Sequence, residues 1–330
     1  MAEEIQTLSG RREFVFLYDI KMGNPNGDPD ENRPRVLPDG THYVTDVRLK
    51  RFVRDHLKTQ TNPNTEQPYD ILVDTIEERT TNLTGRVAAY LDSKGLKKCE
   101  GKELVKILLD SFIDARLFGS SFAFKEQDKW KPETQPKTLT GAVQINHGEV
   151  LHKAQEVDIH GTSVFASDDD KKQGTFTTYY ALRYALIGFN GIANEHSAKL
   201  SHMTDADYCL LLKALWNSIR SAGNTRTKVG QVPRLLISVE YKNGVEFQYG
   251  TLTEYIKLKE KTGKKEVEWA GTFDYRLDLS LLFQRLKEQV GKIQGISYCV
   301  SPDLNVDPTD WPQERKNLDF DGTEKKEAVS

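Results

Sequence analysis

The sequence predicts an α+β protein: a mainly antiparallel sheet with amphipathic helices over one face. Three observations predict it. An apolar, β-branched and aromatic run, EFVFLYDI (13–20), opens the ordered part of the chain and reads as a buried strand. Two later segments, near 46–58 and from about Thr204, repeat apolar residues at helical spacing. Further strand-like runs return between and after them, at 141–151, 179–191 and 234–250.

In chain order, EFVFLYDI is followed by GNPNGDPDENRPR (23–35), a loop crowded with acids, asparagines and prolines. A helix follows from Asp46 to Lys58, with Thr45 as its N-cap and Asp46 at the positive end of its dipole. Leu49, Phe52, Val53 and Leu57 make its core side, and Lys50, Arg51, Arg54 and Lys58 a cationic side. Residues 59–137 read as a mostly helical insertion, on the strength of GKELVKILLDSFIDARLFG. After the strands at 141–151, the polar-centred stretch VDIHGTSVFASDDDKKQGTFT suggests a projecting hairpin. The second helix starts with Thr204 and Asp207 in capping-box positions and ends near Gly223. RLLISVEYKNGVEFQYG then reads as two strands around an Asn243-Gly244 type I′ turn. A strand in TFDYRLDLS, a short helix at 280–291 and the strand GISYCVS complete the folded part. Strand, helix, insertion, strand, hairpin, strand, helix and strands together approach a ferredoxin-like or RNA-recognition fold with large insertions.

Composition narrows the function classes. With 37% hydrophobic and 29% charged residues, and no apolar run long enough to span a bilayer, the chain reads as soluble and globular. MAEEIQTLSGRR has no apolar signal core, and Cys99, Cys209 and Cys299 form no CxxC pair, which suits a cytoplasmic protein. The net charge of -3 is unevenly spread: residues 301–330 hold eight acids against four bases, so the rest is close to neutral. Residues 217–239 contain Arg220, Arg226, Lys228 and Arg234 with no acid. Phosphate binding depends on such local clusters and not on the total.

Each motif has a structural and a functional reading. Asp28, Asp30 and Asn32 alternate like the start of a calcium loop, but Arg33 and Asp39 stand where glycine and glutamate are required. Turn chemistry is the better account of that loop. The cationic side of the first helix points to phosphate contact, and SAGNTRTKVGQVPR supplies Arg226 and Lys228 on a backbone open to close approach. It lacks the spacing of a nucleotide P-loop. In FGSSFAF (118–124), Gly119, Ser120 and Ser121 offer donors, while the phenylalanines read as core. His147, His152 and His160 match no metal-ligand pattern, no nucleophile motif appears, and no cofactor is implied.

FLYDIKMGNPNGDPDENRPR…VTDVRLKRFVRDH and TGAVQINHGEVL, supported by GFNGIANEHSA and the loop before RLLISVEY, resemble the Cas7 family of the RAMP superfamily. These are the repeated backbone subunits of CRISPR Cascade complexes, and the type I-B and I-C forms are the most similar. The resemblance implies a modified RRM palm over 11–300, a helical fingers insertion at 59–137, a thumb hairpin at 156–178 and an acidic tail at 301–330. It implies a non-catalytic protein of antiviral defence that polymerises along CRISPR RNA (crRNA) as a helical filament. Implied partners are crRNA, target DNA in an R-loop, further copies of the chain, the large subunit, Cas-five and Cas-six type proteins and a recruited helicase-nuclease. It carries RNA contact onto Lys50 and Arg51, with Arg48 and Arg54 beside them, places FGSSFAF under the guide backbone, and makes Val164 and Phe165 a thumb wedge between bases. Type III relatives cleave target RNA through an acid in the loop after the first strand, so Asp28 or Asp30 gives the alternative expectation of a metal-dependent endoribonuclease.

Overall fold

The computed structural model describes residues 5–75, 81–122, 124, 138–162, 176–308, 315–318 and 320. It shows a mixed α+β fold. The chain runs through β1 (Arg12–Gly23), β2 (Tyr43–Val44), α1 (Asp46–Leu57), α2 (Leu83–Ser93), α3 (Gly101–Ser111) and α4 (Ile113–Phe118). Then come β3 (Gly119–Ser120), β4 (Leu139–Thr140), β5 (Val143–Ile145), β6 (Gly148–Val150), β7 (Glu156–Thr162) and β8 (Phe176–Ala193). The remainder is α5 (Glu195–Ser201), α6 (Asp205–Ser221), β9 (Gln231–Tyr241), β10 (Lys257–Glu260), β11 (Tyr275–Asp278), α7 (Ser280–Glu288), β12 (Ile293–Val300), β13 (Val306–Asp307) and β14 (Arg315–Asn317).

The main sheet has the order β14-β12-β9-β1-β8-β6-β2, with β5 and β7 also pairing β8. Its described pairs are antiparallel except β12 with β14. Within the run EFVFLYDI, FVFLY (14–18) is apolar on both sides because β1 is central and covered on both faces. Phe14, Phe16, Tyr18 and Ile20 join one core with Leu49, Phe52 and Val53 of α1 and Leu211, Leu215 and Ile219 of α6. Val15 and Leu17 point the other way, into a second core with Leu277 of β11 and Leu282, Phe283 and Leu286 of α7. The period of two along β1 therefore divides the protein into two layers of packing. Each fully buried large apolar side chain in them contributes about 1.5–3 kcal/mol. A third core of Val87, Leu91, Leu104, Leu108 and Phe112 holds the helical insertion together.

Four expectations are corrected. The insertion is helical only over 83–118 among the described residues, and 59–75 forms no helix. Pro63 and Pro68 lack N–H groups, and Asn62 closes a turn there by accepting from the Asn64 N–H. GKELVKILLDSFIDARLFG is two helices, because Phe112 leaves helical geometry at φ -108 and ψ 106. The break turns Asp114 inward.

The strand expected after Asn243-Gly244 does not form. Only Gly244 has positive φ, so the turn is not type I′. The edge of β9 that a hairpin partner would take is occupied by β12. The Glu13 carboxylate instead holds 249–250 in place, accepting from the Tyr249 and Gly250 N–H groups at 2.8 and 2.7 Å. The described residues beyond 300 (301–308, 315–318 and 320) are not a loose tail. β13 pairs β11, β14 pairs β12, and Leu318 and Phe320 pack against the α1–α6 core.

Candidate nucleic-acid interface

The loop after β1 is an organised turn. Asn24 donates to the Asn32 carbonyl at 2.6 Å and its own oxygen accepts from the Asn26 N–H at 3.1 Å. Asn26 in turn accepts from both the backbone and hydroxyl of Thr45 at 2.9 and 2.8 Å, fixing the loop to the start of α1. Asp28 accepts from the N–H groups of Asp30 and Glu31 at 3.1 and 2.9 Å. Desolvation works to raise its pKa, but these and neighbouring backbone donors outweigh it and hold the carboxyl below its ordinary value. Asp28 thus acts as a turn-former, and Asp30 is exposed. Among the described residues, no group of three or more His, Cys, Asp or Glu side chains is placed to hold a metal ion.

Helix α1 begins where its cap requires: the Thr45 hydroxyl accepts from the Arg48 N–H at 3.3 Å. Its cations do not form one bare stripe. Lys50 pairs with Asp46 at 2.8 Å, Arg51 with Asp55 at 2.8 Å, and Lys58 with Asp74 at 3.0 Å. Arg54 is a correction to the helical wheel. It is buried and donates to Asp114 at 2.8 Å, while Asp114 also accepts from the Leu72 and Val73 N–H groups at 2.7 and 3.1 Å. Arg54 is a structural residue that ties α1 to the insertion.

Arg48 differs from all of these. Its guanidinium lies over the Phe52 ring at 4.9 Å, and its Nε is buried with no hydrogen-bond partner among the described residues. Desolvation lowers its pKa, opposed by the Tyr18 phenol and the Asp55 carboxylate and assisted by Arg51. It lines a cavity of about 380 Å³ together with Asp55, Ser221, Asn224, Thr225 and Lys228. Lys228 is only 7% exposed, and its ammonium donates to the Asn24 carbonyl. Burial, then the charge of Arg48, brings the Lys228 pKa down to about 8. Two cations from positions 48 and 228 thus share one pocket. Its lining acid, Asp55, already pairs with Arg51 and lies 3.6 Å from Lys58. Such a pocket suits an anion that hydrogen-bonds, such as a phosphodiester.

The hairpin arms β7 and β8 pair in register from Glu156 opposite Leu182 to Thr162 opposite Phe176. At their root, Arg33 lies 3.6 Å from the Tyr180 ring and 2.6 Å from Glu156, while Arg226 lies 3.6 Å from the Tyr179 ring. The opening loop and the 222–230 loop therefore both engage the hairpin root through arginine–tyrosine stacking. The wedge residues Val164 and Phe165 lie outside the described residues.

Gly119 and Ser120 pair with Thr140 and Leu139 in a two-stranded ribbon, Ser121 is exposed, and Phe122 is 1% exposed. The phenylalanines expected in the core are there: Phe122 and Phe124 are buried in the third cluster, and Phe118 packs on the first. His147 sits at the start of α1, His152 is buried against Tyr184 and Trp269, and His160 lies beside Thr178, so the three are not assembled. Sequence reading missed Tyr179, Tyr180 and Arg33. The adjacent tyrosines at the foot of a long strand, next to basic loops, were the available signal.

Residues 10–280 match the family described as CRISPR-associated protein Cas7. A CRISPR-associated protein Cas7 from Haloferax volcanii is 28% identical over 318 residues, covering 91% of this chain and 90% of that protein. The fold is similar to a chain of a solved CRISPR RNA-guided surveillance complex in a pre-nicking state, with a TM-score of 0.52 and 14% identity over 94% of this chain and 96% of the other. By the extent of the family match, this chain belongs to the CRISPR-associated protein Cas7 family.

Proposed function

We propose that the chain is a non-catalytic, crRNA-binding backbone subunit of a type I surveillance complex, similar to the type I-B and I-C forms. In this reading the sheet with α1 and α6 is an RRM-like palm, 59–137 the fingers and 156–178 the thumb. Copies polymerise along the guide in the cytoplasm and present its spacer bases to target DNA. The large subunit, Cas-five and Cas-six type proteins and a helicase-nuclease complete the assembly. Binding runs through phosphates because each copy accepts a different spacer.

The observation that carries this reading is the pocket in which Arg48 and Lys228 meet without an ion-pair partner of their own among the described residues. Lys50, Arg51, Arg226 and the 119–121 segment lie outside the pocket lining and serve as peripheral contacts. A net charge of -3 is compatible with coating RNA, because a few local contacts repeat in every copy along one strand.

The test is binding to unrelated RNA sequences across a salt series. Arg48→Met with Lys228→Met is expected to weaken binding equally for every sequence and to reduce the salt slope by about one per lost phosphate contact. An unchanged slope removes the pocket from the RNA path. The endoribonuclease alternative is tested by adding labelled complementary RNA and magnesium to the assembled filament. The strand is expected to stay intact. Regular cuts that disappear in Asp28→Ala or Asp30→Ala would overturn the scaffold reading.

A further inference from the structure

Immediately beside the Arg48–Lys228 pocket the surface becomes apolar. Met22, the penultimate residue of β1, has a φ of 50°, in the left-handed region that residues other than glycine rarely enter, and is 47% exposed. Hydrogen bonds on either side hold it there: the Lys21 N–H donates to the Gly230 carbonyl at 3.3 Å and the Asn24 N–H to the Thr227 carbonyl at 3.1 Å. Residues 21–24 therefore run antiparallel to 227–230, and Met22 lies across from Lys228 and Val229. Lys228 turns inward to the pocket. Val229, at 72%, is the most exposed large apolar side chain among the described residues. A strained backbone that presents an apolar side chain to solvent, next to the half-buried Arg48 and the buried Lys228, has no use in the core.

We propose that Met22 and Val229 form a shelf for a nucleobase of the RNA strand whose phosphate enters the Arg48–Lys228 pocket. This rests on the RNA-binding reading above. Single-stranded RNA is the occupant because it alternates an anion with a flat apolar face at short range, and the pocket and shelf offer the matching pair in adjacent residues. The polarisable thioether of Met22 suits the face of an aromatic ring. Neither side chain carries a donor, and the thioether is only a weak acceptor, so the shelf accepts every base, as a guide-binding site must.

The test uses the full chain with two probes: an unstructured RNA oligonucleotide, and the same ribose-phosphate backbone lacking its bases. The wild type is expected to prefer the RNA. Met22→Asn with Val229→Ser keeps a residue that tolerates positive φ and removes the shelf. It is expected to lose about tenfold in affinity for the RNA and nothing for the abasic strand. Lys228→Met is expected to weaken both. Equal losses on both probes, or none, would overturn the shelf. So would a self-association without RNA that the double variant abolishes, which would make the shelf a contact between copies. A wild type that binds neither probe fails at the RNA reading itself. Met22→Gly separates binding from folding: release of left-handed strain is expected to raise its melting temperature while RNA affinity falls. A lowered melting temperature would make Met22 a structural residue and end the proposal.

Discussion

Arg54 and Asp114 form an ion pair that is buried on both sides, with Asp114 fully enclosed. Arg54→Met leaves the carboxylate among backbone N–H groups with no counter-charge, and a loss of about 3–5 kcal/mol is expected in urea unfolding. Lys228 is half of the proposed phosphate pocket. Its folded pKa of about 8 lies below the unfolded value of 10.5, so between those values the unfolded chain holds the extra proton. Folding stability is therefore expected to rise as pH climbs from 8 to 10.5. RNA affinity is expected to fall over the same rise, because a phosphate prefers the ammonium, and Lys228→Met removes both trends. His152 behaves in the opposite pH range. Its Nε2 accepts from the Leu186 N–H at 3.3 Å, so Nδ1 carries the proton and donates to the Lys153 carbonyl at 3.2 Å. Burial brings its pKa from 6.5 down to about 4. The unfolded chain therefore gains a proton first, and urea midpoints are expected to drop as pH falls from 6.5 to 4, less so in His152→Gln.

At the scale of elements, α1 shows what a sequence states and what it omits. Its cap, first acid and buried face of Leu49, Phe52, Val53 and Leu57 are all local and were read correctly. The capping box of Thr204 and Asp207 at α6 is local in the same way. What meets Arg54 and Arg48 of α1 is not local: Asp114 lies sixty residues beyond Arg54, and Lys228 reaches the Arg48 pocket from another loop. A helical wheel gives the side of a residue and says nothing about what the fold packs there. The missing strand after Gly244 fails for the same reason, since β12 arrives fifty residues later to occupy its place. Because Lys50 and Arg51 already pair with Asp46 and Asp55, removing both charges is expected to weaken RNA binding less than emptying the pocket does. Filter binding of the two double variants at one salt concentration makes the comparison.

Over the whole molecule, the two cores either side of β1 make the sheet the rigid part, and the insertion packs a core of its own. Residues 315–317 belong to that rigid part, because β14 covers the outer edge of β12 and hides its unpaired backbone groups. Truncation before Arg315 is expected to expose that edge and raise aggregation on heating, measured by light scattering.

One strand links the sheet to the hairpin. β8 runs unbroken from Phe176 to Ala193, pairing β7 up to Leu182 and β1 from Leu182 onward. With no loop between the two halves of β8, the described arms of the hairpin are a cantilever of about 20 Å clamped in the sheet, at roughly 3.4 Å per residue. Its aim is inherited from the twist of the core. In an array of identical copies, a small error of angle at the clamp would add up along the axis. The pitch of such an array would then be decided at buried positions such as Leu182, far from any neighbouring copy.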